Sequence, residues 1–263
     1  MILGEINVYP IKSAKGISVQ SALVERRGIQ FDRRWMVVDS SGVFLSQRGF
    51  PKLALISTHL GSDVLHVNAP GMNTLTLSLQ PGDANPIRVR VWDDAVDAIS
   101  AGDEAEKWIS KYLNMPSRLV FMPENSIRHV EPESAIHKDI VSFADGFPLL
   151  LISQHSLDDL NGRLVNPVPM NRFRPNVVVN DSSAFAEDRW KKIRIGTILF
   201  YIVKPCSRCI ITTVDQETGI QGKEPLATLS RYRKVDGNVL FGQNIIPESI
   251  GTINVGDRIE IIE

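Results

Sequence analysis

Ile198-Leu199-Phe200-Tyr201-Ile202-Val203-Lys204-Pro205-Cys206-Ser207-Arg208-Cys209-Ile210-Ile211-Thr212-Thr213-Val214-Asp215 reads as strand, turn, strand. The apolar run 198–203 forms the first strand, and a tight proline-containing turn carries both thiols. The β-branched run that follows predicts a second strand over 209–214. The Cys-x-x-Cys holds the only two cysteines of the chain, and two thiols narrow the chemistry by exclusion. A structural zinc site needs four ligands, and His59, His66, His129, His137 and His155 show no His-x3-5-His spacing. An iron–sulfur cluster takes four thiolates. A thioredoxin-like pair opens a helix, whereas a strand former follows here. Beside Lys204 and Arg208, a thiol suits a soft metal or an electrophile; the bland alternative is a pair of buried, inert cysteines.

Outward from this segment, short strand-like runs dominate the first half, at 3–9, 18–25, 35–39, 54–60, 64–68, 74–79 and 87–91. Turn signals such as Ser40-Ser41-Gly42, Pro70-Gly71 and Pro81-Gly82-Asp83 separate them. A helix over 104–113 follows, with Asp103 as cap, Glu106 as its box partner and Trp108, Ile109, Tyr112 and Leu113 on one face. Residues 118–122 form a further strand, and 147–152 is a continuous apolar run of buried-strand type. A short helix carrying Leu157, Leu160 and Leu164 comes next, capped by Ser153 or Ser156. Strands then recur at 176–180, 198–203, 209–214, 239–241 and 258–262. The fold class is α+β and β-dominated, with barrel-like β structure in both halves and a boundary near residue 118, giving domains 1–118 and 119–263.

The chain has 263 residues, is 43% hydrophobic and 22% charged, and carries a formal net charge of −1. Near-neutrality gives no support for a nucleic-acid polymer as partner, so any basic site is local. The start lacks a basic n-region and no apolar run approaches the length of a membrane span, so neither a signal peptide nor a membrane partner is expected. Two cysteines in that setting fit a reducing cytoplasm.

Four further segments offer chemistry. In Pro10-Ile11-Lys12-Ser13-Ala14-Lys15-Gly16 a lysine, a hydroxyl and backbone N–H groups converge in one turn, an anion cradle or an ordinary polar turn. In Phe31-Asp32-Arg33-Arg34-Trp35 strand alternation sends one arginine inward, to Asp32 or to an anionic ligand. In Asn171-Arg172-Phe173-Arg174-Pro175-Asn176 the proline biases Arg174 toward extended backbone, so Arg172 and Arg174 are expected on the same side. Gly146, before Phe147 and the buried run, permits close backbone approach to a ligand.

Taken in order, these segments resemble the MOSC family, and within it the branch of amidoxime-reducing components and bacterial proteins that detoxify N-hydroxylated bases. The resemblance also rests on Lys223-Glu224-Pro225-Leu226-Ala227-Thr228-Leu229 and Phe241-Gly242-Gln243-Asn244, and it covers nearly the whole chain. It implies an N-terminal β-barrel domain followed by a MOSC domain, and a molybdenum cofactor (Mo-molybdopterin). Cys209 would be the metal ligand and catalytic centre. Lys12, Ser13, Arg33, Arg174, Asn176, Ser207 and Arg208 would hold phosphate and pterin, with the backbone of Gly146 and Phe147 nearby. Asn244 stands where the amidoxime-reducing members carry a tyrosine, and Cys206 has no ligand role in the pattern. The implied activity is reduction of small N-hydroxylated compounds such as hydroxylaminopurines and amidoximes. Some bacterial relatives append a ferredoxin domain, whose cysteines this chain lacks. Electrons are therefore expected from a separate donor, of flavin-reductase or ferredoxin type, unless the chain is a fragment. The rival reading is a sulfur carrier or cofactor-delivery module with Cys209 as persulfide acceptor.

Overall fold

A computed structural model describes residues 1–82 and 86–263; Asp83, part of one expected turn, lies outside the described residues. The largest unit is a nine-stranded sheet. Its order is Ile259–Ile261, Lys192–Ile195, Ile198–Ser207, Asn238–Pro247, Leu149–Ser153, Val177–Asn180, Ile2–Val8 and Ile17–Val19, with Lys234–Val235 pairing onto Asn238–Pro247. Leu149–Ser153 and Val177–Asn180 run parallel. An isolated bridge joins Ile2 to Arg258, and the N–H of Ile259 donates to Met1 O. The path thus curls back toward its own start without forming a closed barrel.

The apolar run at 149–152 is continuous because both faces of its strand are covered. Leu149 and Leu151 join Leu3, Ile6, Val177, Phe200 and Ile245 in one core. Leu150 and Ile152 face a second core with Phe173, Phe241 and Leu157 and Leu160 of the helix Gln154–Asn161. Smaller sheets complete the chain. Trp35–Asp39, Ser117–Phe121, Asp94–Ser100 and Ile87–Val91 form one of four strands. The hairpins of Ser57–Leu60, Val64–Asn68 and Leu75–Ser78 pack with the helix Asp103–Leu113 over Trp35, Leu53 and Leu65. The halves interlock: Ile2–Val8 pairs with Val177–Asn180, and Ser21–Glu25 pairs with Gly251–Asn254.

Several local expectations are corrected. The stretch after Cys209 is a 3-10 helix, Ile210–Thr213, rather than a strand. The hydroxyls of Thr212 and Thr213 donate back to the carbonyls of Cys209 and Ile210 at 3.0 and 2.7 Å, local bonds that outweigh β-propensity. Pro205 and Cys206 lie within the long strand Ile198–Ser207, not in a turn. That strand shifts register against Asn238–Pro247 on both sides of Pro205, where a residue without an N–H is tolerated. Asp103 is the first helical residue; Gly102, at φ 95°, occupies the cap position with no side-chain cap. Ser153 occupies the cap position of its helix, as expected, but its hydroxyl pairs with Ser182 Oγ at 2.6 Å and makes no cap hydrogen bond. The strands Asp94–Ser100 and Lys192–Ile195 were not expected. Among the described residues, no helix is long and apolar enough to cross a membrane.

Candidate functional site

Every site residue named from the sequence lines one pocket: Lys12, Ser13, Arg33, Gly146, Phe147, Arg174, Asn176, Ser207, Arg208, Cys209 and Asn244. The bulged strand Ile198–Ser207 delivers Ser207, Arg208 and Cys209 to its wall, and Asn244 sits on the neighbouring strand in register with Leu150 and Lys204. Three of the lining residues hold positive φ without being glycine: Ser13 at 69°, Arg33 at 49° and Arg174 at 57°. Such conformations persist only where the surroundings over-determine them.

Arg33 and Arg34 part as expected, one toward the pocket and one away, whereas Arg172 and Arg174 depart from the expectation. Arg33 faces the pocket from a turn; its Nη1 donates to Asp32 at 2.6 Å and to Asn176 Oδ1 at 3.0 Å, and its Nη2 to Arg174 O at 3.2 Å. Arg34 turns away to Met122 O and Glu124. Arg172 and Arg174 diverge. Arg172 ties Thr212 O and Glu224 O, whereas Arg174 lines the pocket with Nη1 on Ala14 O at 2.6 Å. The bond from Arg33 to the Arg174 carbonyl, with the Ala14 contact, overrides the extended preference that Pro175 imposes. The guanidinium carbons of Arg33 and Arg174 each lie 4.3 Å from the Tyr9 ring centroid.

Lys12 is 5% exposed and donates to Phe143 O at 2.8 Å and Asp145 Oδ1 at 2.6 Å. Burial lowers its pKa from 10.5 to about 8, against the pull of the Asp145 carboxylate. The Asp145 side chain is exposed, and the charges of Lys12, Arg48 and Arg33 beside it hold its carboxyl well below the usual carboxylate range. Burial likewise lowers Arg174 to about 10, aided by the charge of Arg33. Asn176 commits both ends of its amide to the protein, on Arg33, Leu150 N–H and Asn7 O, and so acts as a strut for Arg33.

Four polar lining residues besides Cys206 were not named from the sequence as binding groups: Ser46, Arg48, Asp145 and Thr212. Arg48 Nη2 lies 3.2 Å from Cys209 Sγ. Cys206 also lines the pocket, with Arg208 Nη1 at 3.0 Å from its sulfur. Both cysteines are free.

The polar accounting is unusual. Arg48 Nη1, Arg174 Nη2 and Arg208 Nε are buried without a hydrogen-bond partner, and all three side chains line this pocket. Buried donors are normally paired, so these three unpaired N–H groups are exceptions, and the positive charge of the guanidinium groups lining one cavity fits an anionic ligand. Among the described residues no cluster of three or more His, Cys, Asp or Glu side chains is placed to hold a metal. A metal bound by Cys209 must therefore bring most of its ligands with it, which fits a metal carried on an anionic cofactor.

The sequence pattern of the MOSC N-terminal beta barrel domain matches residues 1–116, and that of the MOSC domain matches residues 138–260. Mitochondrial amidoxime-reducing component 1 of Mus musculus is 37% identical over 278 residues, spanning 99% of this chain and 82% of that protein. The chain belongs to the MOSC family. The Homo sapiens mitochondrial amidoxime-reducing component 1 matches this MOSC protein at 35% identity, with the same coverage of both chains. A molybdenum cofactor sulfurase of Oryza sativa subsp. japonica is 34% identical across 91% of this chain but only 32% of its own length.

Proposed function

We propose that this MOSC protein binds a molybdenum cofactor through the Cys209 thiolate and reduces N-hydroxylated compounds, such as hydroxylaminopurines and amidoximes, to amines. The observation that carries the reading is the pocket in which Cys209 Sγ stands 3.2 Å from the Arg48 guanidinium, with Lys12, Arg33, Arg174 and Arg208 lining the same walls. The relatives named as amidoxime-reducing components support the substrate class.

When bound, the cofactor supplies two-electron metal chemistry. The overall change is N–OH plus two protons and two electrons to N–H plus water. The chain's own residues bind and orient. Cys209 offers the soft ligand. Lys12, Ser13, Arg33, Arg174, Ser207 and Arg208 hold phosphate and pterin, with Asn244 and the backbone of Gly146 and Phe147 along the wall. An added Cβ at Gly146 would meet nothing within 4 Å, so that stretch leaves room for a ligand. The electrons come from a separate protein of flavin-reductase or ferredoxin type. Free cysteines suit a reducing compartment, and we place the protein in the cytoplasm. We divide the chain into an N-terminal domain, 1–118, and a MOSC domain, 119–263, with the pocket where they meet.

The test is turnover of benzamidoxime by cofactor-loaded protein under a chemical reductant, with Cys209→Ser as comparison. The expected result is benzamidine from the wild type and none from the variant. Loaded wild type that forms no amine from benzamidoxime or from a hydroxylaminopurine sinks the reading and favours the sulfur-carrier alternative.

A further inference from the structure

Among the described residues, the side chain of Arg48 makes one hydrogen bond, and it is to a sulfur: Nη2 lies 3.2 Å from Cys209 Sγ, across 161 positions of sequence. The other terminal nitrogen, Nη1, is buried and unpaired. An arginine that serves the fold closes its donors on oxygen, as Arg34 does on Met122 O and Glu124. Arg48 is instead braced from one side by Trp92, with its guanidinium carbon 4.4 Å from the ring centroid. Trp92 sits in the turn between the strands Ile87–Val91 and Asp94–Ser100 at φ 55°, a region hairpin turns usually fill with glycine, asparagine or aspartate. Its ring is fixed by Phe44, 4.9 Å away between centroids, and by donation from Nε1 to Asp145 Oδ1 at 3.3 Å. A strained, bulky turn residue thus holds one guanidinium against the proposed metal ligand.

We propose that Arg48, positioned by Trp92, is a catalytic residue: its Nη2 N–H on the Cys209 sulfur draws on the charge that sulfur offers the metal and so tunes the centre. The inference rests on the reading of Cys209 as metal ligand. Hydrogen bonds to a ligating sulfur raise the potential of the centre it serves. In the reaction the N–O bond breaks, an N–H bond forms, and the oxygen leaves as water after two electrons from the donor protein and two protons from solvent. Arg48 keeps its own proton throughout. Its guanidinium stays charged at any working pH, so the N–H on the sulfur is a charge-assisted donor throughout turnover.

The test uses Arg48→Met and Arg48→Lys. In the cofactor-free chain, Cys209 is alkylated in parallel with anionic iodoacetate and neutral iodoacetamide, and the ratio of the two rates reads the local charge at the sulfur. Cys206, beside Arg208, is the internal control. The expected ratio at Cys209 falls several-fold in Arg48→Met, holds in Arg48→Lys, and stays constant at Cys206. In loaded protein Arg48→Met lowers kcat by about 100-fold with little change in KM, and Arg48→Lys, which keeps a charged donor near the sulfur, loses less. Arg48→Met also shifts the molybdenum midpoint potential negative. An unchanged ratio at Cys209, or full kcat in both variants, overturns the proposal. Wild type that carries no molybdenum defeats the cofactor reading instead, and the alkylation ratio still decides whether Arg48 serves the sulfur.

Discussion

Replacing Arg174 by methionine separates a binding arginine from a structural one. The side chain is 9% exposed, with Nη1 on Ala14 O at 2.6 Å and Nη2 unpaired. A hydrogen bond from a charged donor contributes about 1.5–3 kcal/mol, and an unsatisfied buried donor costs about 1–3 kcal/mol. In the ligand-free chain Arg174→Met loses the first and relieves the second. Its stability should therefore stay within about 2 kcal/mol of wild type, because the two effects are of similar size and opposite sign. With an anion in the pocket the balance changes. The variant then lacks a charge-assisted donor worth about 1.5–3 kcal/mol, which weakens binding by about 10- to 150-fold. Calorimetric titration of the cofactor-free chain with inorganic phosphate measures the affinity, and denaturant unfolding without phosphate measures the stability. Unchanged phosphate affinity together with a loss of stability well above 3 kcal/mol would refute the reasoning, and Arg174 would then be a strut like Asn176.

Two further outcomes follow from titrating groups. Lys12 titrates near pH 8 in the ligand-free fold instead of near 10.5. Phosphate affinity should therefore be full below that pH and fall as pH rises through it, which titrations across pH 6.5–9.5 will show; a flat profile contradicts the Lys12 role. The same shift makes ligand-free stability rise with pH between about 8 and 10.5, because the unfolded chain binds the extra proton there. Glu187, 1% exposed, accepts from Ser153 N–H and Ser156 Oγ, while its second oxygen is buried without a partner. Burial raises its pKa. The protonated form is favoured in the fold, so its contribution is present at low pH and lost as pH rises through the raised value. Glu187→Gln should show a smaller drop in Tm between pH 5 and pH 8 than wild type, and an equal drop sets this account aside.

The strands at 149–152 and 198–203 were legible because buried apolar runs leave few alternatives, whereas Lys192–Ile195 and Gly251–Asn254 carry no such run, and the strand pairing was not legible. What misled was local chemistry. Thr212 and Thr213 sit in a β-branched run, and nothing in the letters shows their hydroxyls turning back onto the preceding carbonyls. Pro175 gave Arg174 the wrong backbone, because the bond from Arg33 that fixes it spans 141 positions. The pocket residues were gathered by ordered motifs scattered over the chain, which periodicity alone does not connect. Arg48 escaped for a related reason. It stands in a polar stretch, Ser46-Gln47-Arg48-Gly49, with no pattern to mark it, and its meaning comes from Cys209 and Trp92 on distant segments. A buried guanidinium nitrogen without a partner is a property of the folded chain, and Arg48, Arg174 and Arg208 each carry one.

The central claim is that Cys209 is a metal ligand in a pocket built for an anionic cofactor. Molybdenum by elemental analysis, with fluorescent detection of pterin, on protein from a host that makes the cofactor tests it most directly. The account predicts near-stoichiometric metal in wild type and in Cys206→Ser, and its loss in Cys209→Ser. Wild type without metal or pterin, or equal metal in all three proteins, would contradict it.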